Sequence, residues 1–272
     1  MKSAVVIVNW NSGRRLASCL QSLPVSPEPV VVIDNASADD SLQTARDSGS
    51  AATFIENASN RGLAAAVNQG FAATSSPYVL LLNPDVRVIQ GSIEILENVL
   101  DEHAQAGAVG GYVNEKYLPR PLATPWTVVR ENLGLPVGAS NAPEVGQAAA
   151  AALLVRREAY EAAHGFDERF VPAWYEDVDF CRSVRAQGWD VRFAREAEFI
   201  HEGGYSARTM GSSDFAAAYY RNQLRYINKH FGPAAELMVR LSIVAGMAAR
   251  LLVQPSRAAA SSKVIAGALG GW

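Results

Sequence analysis

Three separated groups of side chains carry the chemistry that this sequence offers. The run Leu80-Leu81-Leu82 stops at Asn83-Pro84 and delivers one carboxylate, Asp85. Such an apolar run reads as a buried strand, and in open α/β sheets ligands bind at the carboxyl edge of the strands. A carboxylate placed there suits a hard divalent cation, which would in turn grip phosphate oxygens. The second group is Glu176-Asp177-Val178-Asp179, preceded by the aromatics Trp174-Tyr175. Crowded carboxylates raise one another's pKa and move one of them toward a useful general-base value. The third is His201, which follows a short apolar run and precedes Glu202-Gly203-Gly204. Together they look like the parts of a metal-assisted group-transfer site. Each also has a plainer reading. A strand-ending Asp is often a turn former, carboxylates at a helix start complement its dipole, and a lone His is more often structural.

The elements that must position these residues follow from periodicity. Ala4–Val8 and Val30–Ile33 are β-branched runs ending at polar residues. Between them Leu16, Cys19, Leu20 and Leu23 fall at helical spacing, with Ser12 as the expected cap. A helix follows Asp39-Asp40, then a strand over Ala52–Ile55, a helix over Leu63–Ala73 and the strand Tyr78–Leu82. Gly91-Ser92 opens a helix to about His103, and Ala106–Val113 reads as a strand. This alternation predicts a mostly parallel, doubly wound sheet for residues 1–113. Residues 114–147 read as irregular. Beyond them come a strand at Ala148–Val155, a helix at Arg156–Ala163 and a helix at Asp177–Gln187 that stops at Gly188. Short strands at Val191–Phe193 and Ala197–Ile200 and helices from Asp214 and Ala234 close the chain.

Composition narrows the function. In 272 residues, 27 acidic side chains against 24 basic ones create no global field to attract nucleic acid. Two cysteines, Cys19 and Cys181, are too few for a disulfide framework and fit a reducing cytoplasm. The first apolar segment, Ala4 to Val8, is too short for a signal-peptide core. No stretch offers the roughly 18 uninterrupted apolar residues of a spanning helix.

Smaller motifs add detail. The first strand-to-helix turn, Asn9-Trp10-Asn11-Ser12-Gly13, has neither the glycine pattern of a dinucleotide site nor the Gly-rich, Lys-containing loop of a P-loop. Asp34, in Val32-Ile33-Asp34-Asn35-Ala36-Ser37, could accept a hydrogen bond from a base imide, or simply shape a helix-entry turn. Arg61, in Asn60-Arg61-Gly62, suits a phosphate or base contact, and Asn68 a buried hydrogen-bonding role.

Taken in order, Val5-Val6-Ile7-Val8-Asn9-Trp10-Asn11, Val32-Ile33-Asp34-Asn35-Ala36-Ser37, Asn60-Arg61-Gly62 with Asn68-Gln69-Gly70, Asn83-Pro84-Asp85, Gly165-Phe166-Asp167-Glu168 and Glu176-Asp177-Val178-Asp179 resemble family 2 glycosyltransferases of the GT-A fold, in the bacterial rhamnosyltransferase-like group. The resemblance covers about residues 3–230. It implies an inverting transfer from a nucleotide-diphosphate sugar, dTDP-rhamnose first and a UDP-sugar second, to a saccharide or lipid-linked acceptor in cell-surface glycan synthesis. Asn9 and Arg61 would belong to the nucleotide site and Asp34 would read the base. Asp85 would bind Mg²⁺ or Mn²⁺ with His201, and Asp177 would be the catalytic base. Trp174, Glu176 and Asp179 would face the acceptor or support those that do. The family's common Asp-x-Asp is here Asn83-Pro84-Asp85, so Asn83 would touch the ribose or a metal-bound water. A division follows into a nucleotide-sugar-binding half (1–113), an acceptor-binding and catalytic half (114–232) and a C-terminal helical extension (233–272). The competing functions are a nucleotidylyltransferase and a non-catalytic sugar-nucleotide or glycan-binding domain.

Two expectations concern the later chain. Glu202–Ser213, with three glycines and Arg208 as a diphosphate contact, reads as a lid. In Ala234–Val253, Glu236, Arg240, Arg250 and Gln254 fall within about 80° on a helical wheel, although Ile243 and Met247 intrude on that sector. The rest is largely apolar, and Pro255 ends the run. This helix fits either the plane of a membrane interface or packing on the catalytic domain or a second subunit. The first option would make a cytoplasmic enzyme peripheral on the inner membrane face.

Overall fold

The computed structural model describes residues 2–26, 28–138, 144–201, 211–254, 256 and 258–272. Its centre is an open sheet of eight strands in the order β3-β2-β1-β4-β7-β6-β8-β5. These are β1 (Ser3–Asn9), β2 (Val30–Asp34), β3 (Thr53–Glu56), β4 (Tyr78–Leu82), β5 (Val86–Val88), β6 (Ala106–Tyr112), β7 (Ala152–Arg156) and β8 (Asp190–His201). All but β7 and β5 run the same way, since β7 is antiparallel to both β4 and β6, and β5 to β8. The expected sheet is therefore present, with two reversed strands that make it mixed.

The central strands are near-continuous apolar runs because both of their faces are covered, as parallel strands require. On one face Val5, Ile7, Leu80 and Leu82 pack with Leu16, Cys19 and Leu20 of α1 (Arg15–Ser22) and with Ile93, Leu96 and Leu100 of α4 (Ser92–Glu102). On the other, Val6, Val79 and Leu81 meet Ala64, Val67 and Phe71 of α3 (Leu63–Ala72). Ala159 of α6 (Arg157–Ala162) and Phe180 and Val184 of α7 (Glu176–Ala186) complete that face. Helix α2 (Ser41–Asp47) adds Ala45 to the first face. At Gly70, α3 lies so close to β1 that a methyl group would land inside the Val6 side chain. Gly70→Ala is expected to cost about 1–3 kcal/mol, the usual cost of overpacking, and a fall in the thermal midpoint checks it.

Several local expectations are corrected. Ser12 does not cap α1; its hydroxyl turns back to Asn9, and α1 starts after Arg14 without a side-chain cap. Ala148–Ala151 does not extend β7, which starts at Ala152. β8 is one strand of 12 residues rather than two, its register with β6 slipping at Gly111/Tyr112. The irregular segment holds a short 3-10 helix, Glu115–Tyr117, and α5 (Pro125–Asn132). Thr124 and Thr127 form a capping box around α5, and Pro125 enters its first turn, where a missing N–H costs nothing.

The chain ends in α8 (Ser212–Val253), kinked at Gly232-Pro233, and α9 (Ala258–Gly270). A third apolar cluster joins α5 (Val128, Val129), the first arm of α8 (Leu224, Tyr226, Ile227), its second arm (Val239, Ile243, Met247) and α9 (Val264, Ala268). The second arm thus packs on the body of the protein, and Ile243 and Met247, which looked like intruders on a polar sector, are its buried contacts. Arg240 donates to the carbonyl of Ala268, and Arg250 to the Tyr220 hydroxyl at 2.7 Å. The expected polar face therefore points inward. Leu237, Leu241, Ala245, Ala248 and Leu252 form an exposed apolar stripe. Among the described residues no helix is long and apolar enough to cross a membrane. Pro255 and the segment 202–210, with Arg208 and most of the expected lid, lie outside the described residues.

Candidate active site

Strand order reverses between β1 and β4, because β2 and β3 are added on one side and β7 onward on the other. Ligand crevices in open α/β sheets form at such a switch point, outside the carboxyl ends of the strands. Here β1 ends at Asn9 and β4 leads directly into Asn83-Pro84-Asp85. A cleft of about 1290 Å³ opens there, and its walls include Trp10, Asn35, Asn83, Asp85, Trp174, Glu176, Asp177 and His201. It exceeds the ~300–1,000 Å³ of a drug-sized pocket, leaving room for two reactants.

At the β1–β2 end, Asn9 and Asp34 are buried and bonded to one another. Oδ1 of Asp34 accepts from Asn9 Nδ2 at 2.7 Å and from Ser37 Oγ at 2.6 Å, and Oδ2 accepts from the Ser37 N–H at 3.0 Å. Asn9 Nδ2 also donates to Ser41 Oγ at 2.9 Å. A carboxylate offers about four acceptor positions; one on Oδ2 has no donor among the described residues, and Asp34 is buried and does not itself line the cleft. Asn9 is spent on the turn itself. Asn35 accepts from Asn57 Nδ2 at 3.0 Å and donates to the Gly62 carbonyl at 3.1 Å. Gly62 has φ +86°, where a side chain is strained, and the next N–H, Leu63, donates to Pro172 O at 2.7 Å. The Asn60-Arg61-Gly62 turn is thus moored to the loop before the carboxylate cluster. Arg61 is exposed, and its guanidinium has no partner among the described residues. Asn68 bonds to the N–H and carbonyl of Phe166, both at 2.9 Å, and so ties α3 to the Gly165–Glu168 motif.

Asp85 and His201 meet through a strand pairing that sequence did not predict. Three-residue β5 begins at Val86 and pairs with β8 so that Val86 lies opposite His201. His201 Nε2 then stands 3.0 Å from Asp85 Oδ1, with both side chains nearly buried. Its Nδ1 is buried without a partner among the described residues. Tyr117, in the segment read as irregular, packs edge-on against the imidazole with ring centres 4.9 Å apart. Its hydroxyl pKa is raised by burial first, then by the charges of Asp85 and Asp177, so it lies within electrostatic reach of both. Nothing in its sequence neighbourhood signals that position. Cys19 and Cys181 are buried, with thiols pushed up to about 12, and neither is a nucleophile.

The carboxylate cluster opens α7 after a strained turn. Trp174 and Tyr175 both have left-handed φ, +76° and +72°, which costs about 1–3 kcal/mol per residue and persists only when the surroundings enforce it. Asn222 of α8 is fully buried and donates to the carbonyls of Ala173 at 2.9 Å and Trp174 at 3.1 Å. Tyr175 accepts from Gln223 at 2.8 Å, and Gln223 in turn accepts from Asn132 of α5 at 2.9 Å. Asp177 is half-buried. Its Oδ1 accepts from the Val178 N–H at 2.8 Å and its Oδ2 from the Ala150 N–H at 3.3 Å. Burial raises its pKa, partly offset by those N–H groups. Asp179 faces away from the cleft and anchors α8, pairing with Lys229 at 2.8 Å and His230 at 2.7 Å.

Glu176 is buried, and its Oε2 has no partner among the described residues. Burial, then the charge of Asp177, pushes its pKa well above the ordinary value. The folded state thus holds that proton more tightly than the unfolded chain does. The associated stability is complete below the unfolded pKa of about 4.3 and is lost as pH rises through the folded value. Glu176→Gln, neutral at every pH, should therefore raise the thermal midpoint at pH 8 more than at pH 5. The expected gain is about 2–4 °C per kcal/mol relieved, and melting curves at the two pH values check it.

Among the described residues no group of three His, Cys, Asp or Glu side chains could hold a metal; Asp85 and His201 are a pair that could offer two ligands. Their spacing fits one cation, since ligands about 2.1 Å from an octahedral centre lie roughly 3 Å apart.

Comparison with known proteins bears on the family and the fold. The family model "Glycosyl transferase family 2" matches residues 4–161. The N-acetylglucosaminyl-diphospho-decaprenol L-rhamnosyltransferase of Mycobacterium tuberculosis is 27% identical over 264 residues, covering 84% of this chain and 85% of its own. A Pyrobaculum calidifontis mannosyltransferase, solved with GDP-Man and Mn²⁺, superposes with a TM-score of 0.64 at 17% identity. It covers 98% of this chain and 86% of that one. Glucosyl-3-phosphoglycerate synthase of M. tuberculosis, solved with Mn²⁺, UDP and glucosyl-3-phosphoglycerate, gives 0.58 at 16% identity over 83% and 79% of the two chains. With the family model spanning more than half of its length, the chain belongs to glycosyltransferase family 2, has the GT-A fold and resembles the rhamnosyltransferase-like members of that family.

Proposed function

We propose that this nucleotide-sugar glycosyltransferase is metal-dependent and inverting. The donor we favour is dTDP-rhamnose, with a UDP-sugar second, and the acceptor is a lipid-linked saccharide used in cell-surface glycan synthesis. The observation that carries this reading is the convergence of Asp85–His201 and Glu176–Asp177 on one cleft at the switch point. The mycobacterial relative, named for a rhamnosyl transfer to a diphospho-decaprenol acceptor, supports the donor and acceptor class.

Asp85 and His201 would hold Mn²⁺ or Mg²⁺, which would supply positive charge against the leaving diphosphate. Asp34 would read the base, and Asn83 borders the ribose side. Asp177 takes the proton of the acceptor hydroxyl while that oxygen attacks the anomeric carbon opposite the diphosphate. One C–O bond forms as the bond to the diphosphate breaks, so configuration inverts and the proton rests on Asp177. Glu176, kept protonated by burial and by its neighbour's charge, lets Asp177 carry the negative charge. A nucleotidylyltransferase would need basic residues in a Gly-rich loop after β1, where this chain has Asn9–Gly13. A purely binding domain would have no use for a carboxylate base in the same cleft as Asp85 and His201.

Hydrolysis of a panel of nucleotide sugars with Mn²⁺ tests the reading. dTDP-rhamnose should be turned over fastest, and only with the metal. Hydrolysis of no sugar nucleotide, or equal hydrolysis with a chelator present, would sink it. The exposed stripe of α8 fits a peripheral seat on the cytoplasmic membrane face, where a lipid-linked acceptor would be presented.

A further inference from the structure

A second hollow, of about 240 Å³, lies on the far side of α8 from the carboxylate cleft. Its walls carry five cations: Arg169 from the loop before the strained turn, Arg221, Arg225 and Lys229 from the first arm of α8, and Arg240 from the second. Trp272, after α9, completes the wall, its indole lying against Gly267.

These charges are unequally matched. Arg169 and Lys229 are paired with Asp167 at 2.6 and 2.8 Å, Lys229 also with Asp179, and Arg240 with Glu236. Arg221 and Arg225 have no carboxylate partner among the described residues. Arg221 donates to the Val171 carbonyl at 2.7 Å, and its Nε is buried with no partner. Arg225 donates to Asn222 Oδ1 at 2.6 Å and to the Arg169 carbonyl. Its pKa is lowered by burial first and then by the charges of Arg221 and Arg169. Glu236 also lines the hollow and Asp167 partly offsets the charge on Arg225, which leaves five cations against fewer carboxylates; an anion would complete that balance, and planar N–H forks match phosphate oxygens. The volume falls short of the ~300 Å³ of a drug-sized site and suits a phosphate or diphosphate group.

The surroundings identify what carries that phosphate. Arg240 lies between Leu237 and Leu241 in sequence, and those two, 57% and 61% exposed, begin the apolar stripe. Leu269 and Trp272 are exposed at the same end. A helix that carries both an exposed apolar face and a cluster of cations has the pattern that seats proteins on anionic lipid. We propose that this hollow binds the phosphate group of a membrane amphiphile while the stripe lies in the lipid interface. The proposal rests on the membrane-facing reading of α8 given above.

The test uses full-length protein, because ending the chain near Gly232 would remove Val239, Ile243 and Met247 from the core. Co-sedimentation is measured with phosphatidylcholine vesicles, with vesicles also containing phosphatidylglycerol, and with phosphatidylcholine carrying a trace of polyprenyl diphosphate. Binding should be weak to the first and stronger to one of the others. Preference for the trace diphosphate identifies a lipid-linked substrate as the source, and a need for bulk phosphatidylglycerol identifies the headgroup. Arg221→Gln with Arg225→Gln should lower that binding about 25-fold, roughly fivefold per arginine at an anionic surface. The double Lys variant should retain most of it. Should the Gln variant melt early, inorganic diphosphate added to the wild type serves instead and should displace it from charged vesicles. Equal binding to neutral and charged vesicles, undiminished by diphosphate, overturns the phosphate site and leaves the membrane reading standing. No binding to any vesicle overturns both.

Discussion

Asp177→Asn is expected to lower turnover by about 10²- to 10⁴-fold, the usual weight of a general base, while nucleotide and metal binding stay nearly intact. The amide keeps the shape of the carboxylate and can still accept from the Val178 N–H. It cannot take a proton. The substitution removes a charge that burial disfavours and also leaves the Ala150 N–H without its acceptor, so the variant should melt close to the wild type. A second readout separates this role from a structural one. Because burial raises the Asp177 pKa, wild-type turnover should climb with pH through a value above the ordinary carboxylate range. The residual activity of the variant should lack that limb. Near wild-type turnover in purified Asp177→Asn would remove the residue from the role of base.

The second large effect is at the metal pair. Asp85→Ala should abolish Mn²⁺-dependent donor binding, since it removes the carboxylate that meets His201 among the described residues. His201→Ala should weaken Mn²⁺ affinity less, though by at least the roughly 10-fold that follows loss of a mere outer-shell partner. Titration calorimetry with nucleoside diphosphate, with and without Mn²⁺, reads both. Unchanged metal-dependent binding in the two variants would move the cation site elsewhere.

What could be foreseen depended on how locally each feature is encoded. Strands β1, β2 and β4 announce themselves because burial on both faces demands uninterrupted apolar runs, and α1, α3 and α4 because one face must repeat at helical spacing. Asp85, Asp177 and His201 were legible by position, each closing or opening such an element. Their meeting was not. It depends on β5, three residues long, pairing with a strand more than a hundred positions later. Tyr117 is invisible for the same reason, its role coming from what surrounds it. Asn222 and Gln223 sit in an ordinary helical pattern, yet they hold the turn that aims Asp177. The face of the second arm of α8 was inverted because a helical wheel ranks side chains by polarity. Here Arg240 and Arg250 find partners inside the protein, so their sector could be buried.

The two ends of the sheet bear on how this molecule keeps its own company. β3 is four residues long, and Glu56 on it is held by Arg46; β5 is three, with an exposed Arg87 at its middle. Short borders carrying charge offer a poor template for another chain's backbone. A crowded solution of this protein should therefore not knit together by adding strand to strand. Self-adhesion is left to the greasy flank of its last long helix, so detergent or lipid, rather than a change of pH, is the additive that should keep it dispersed.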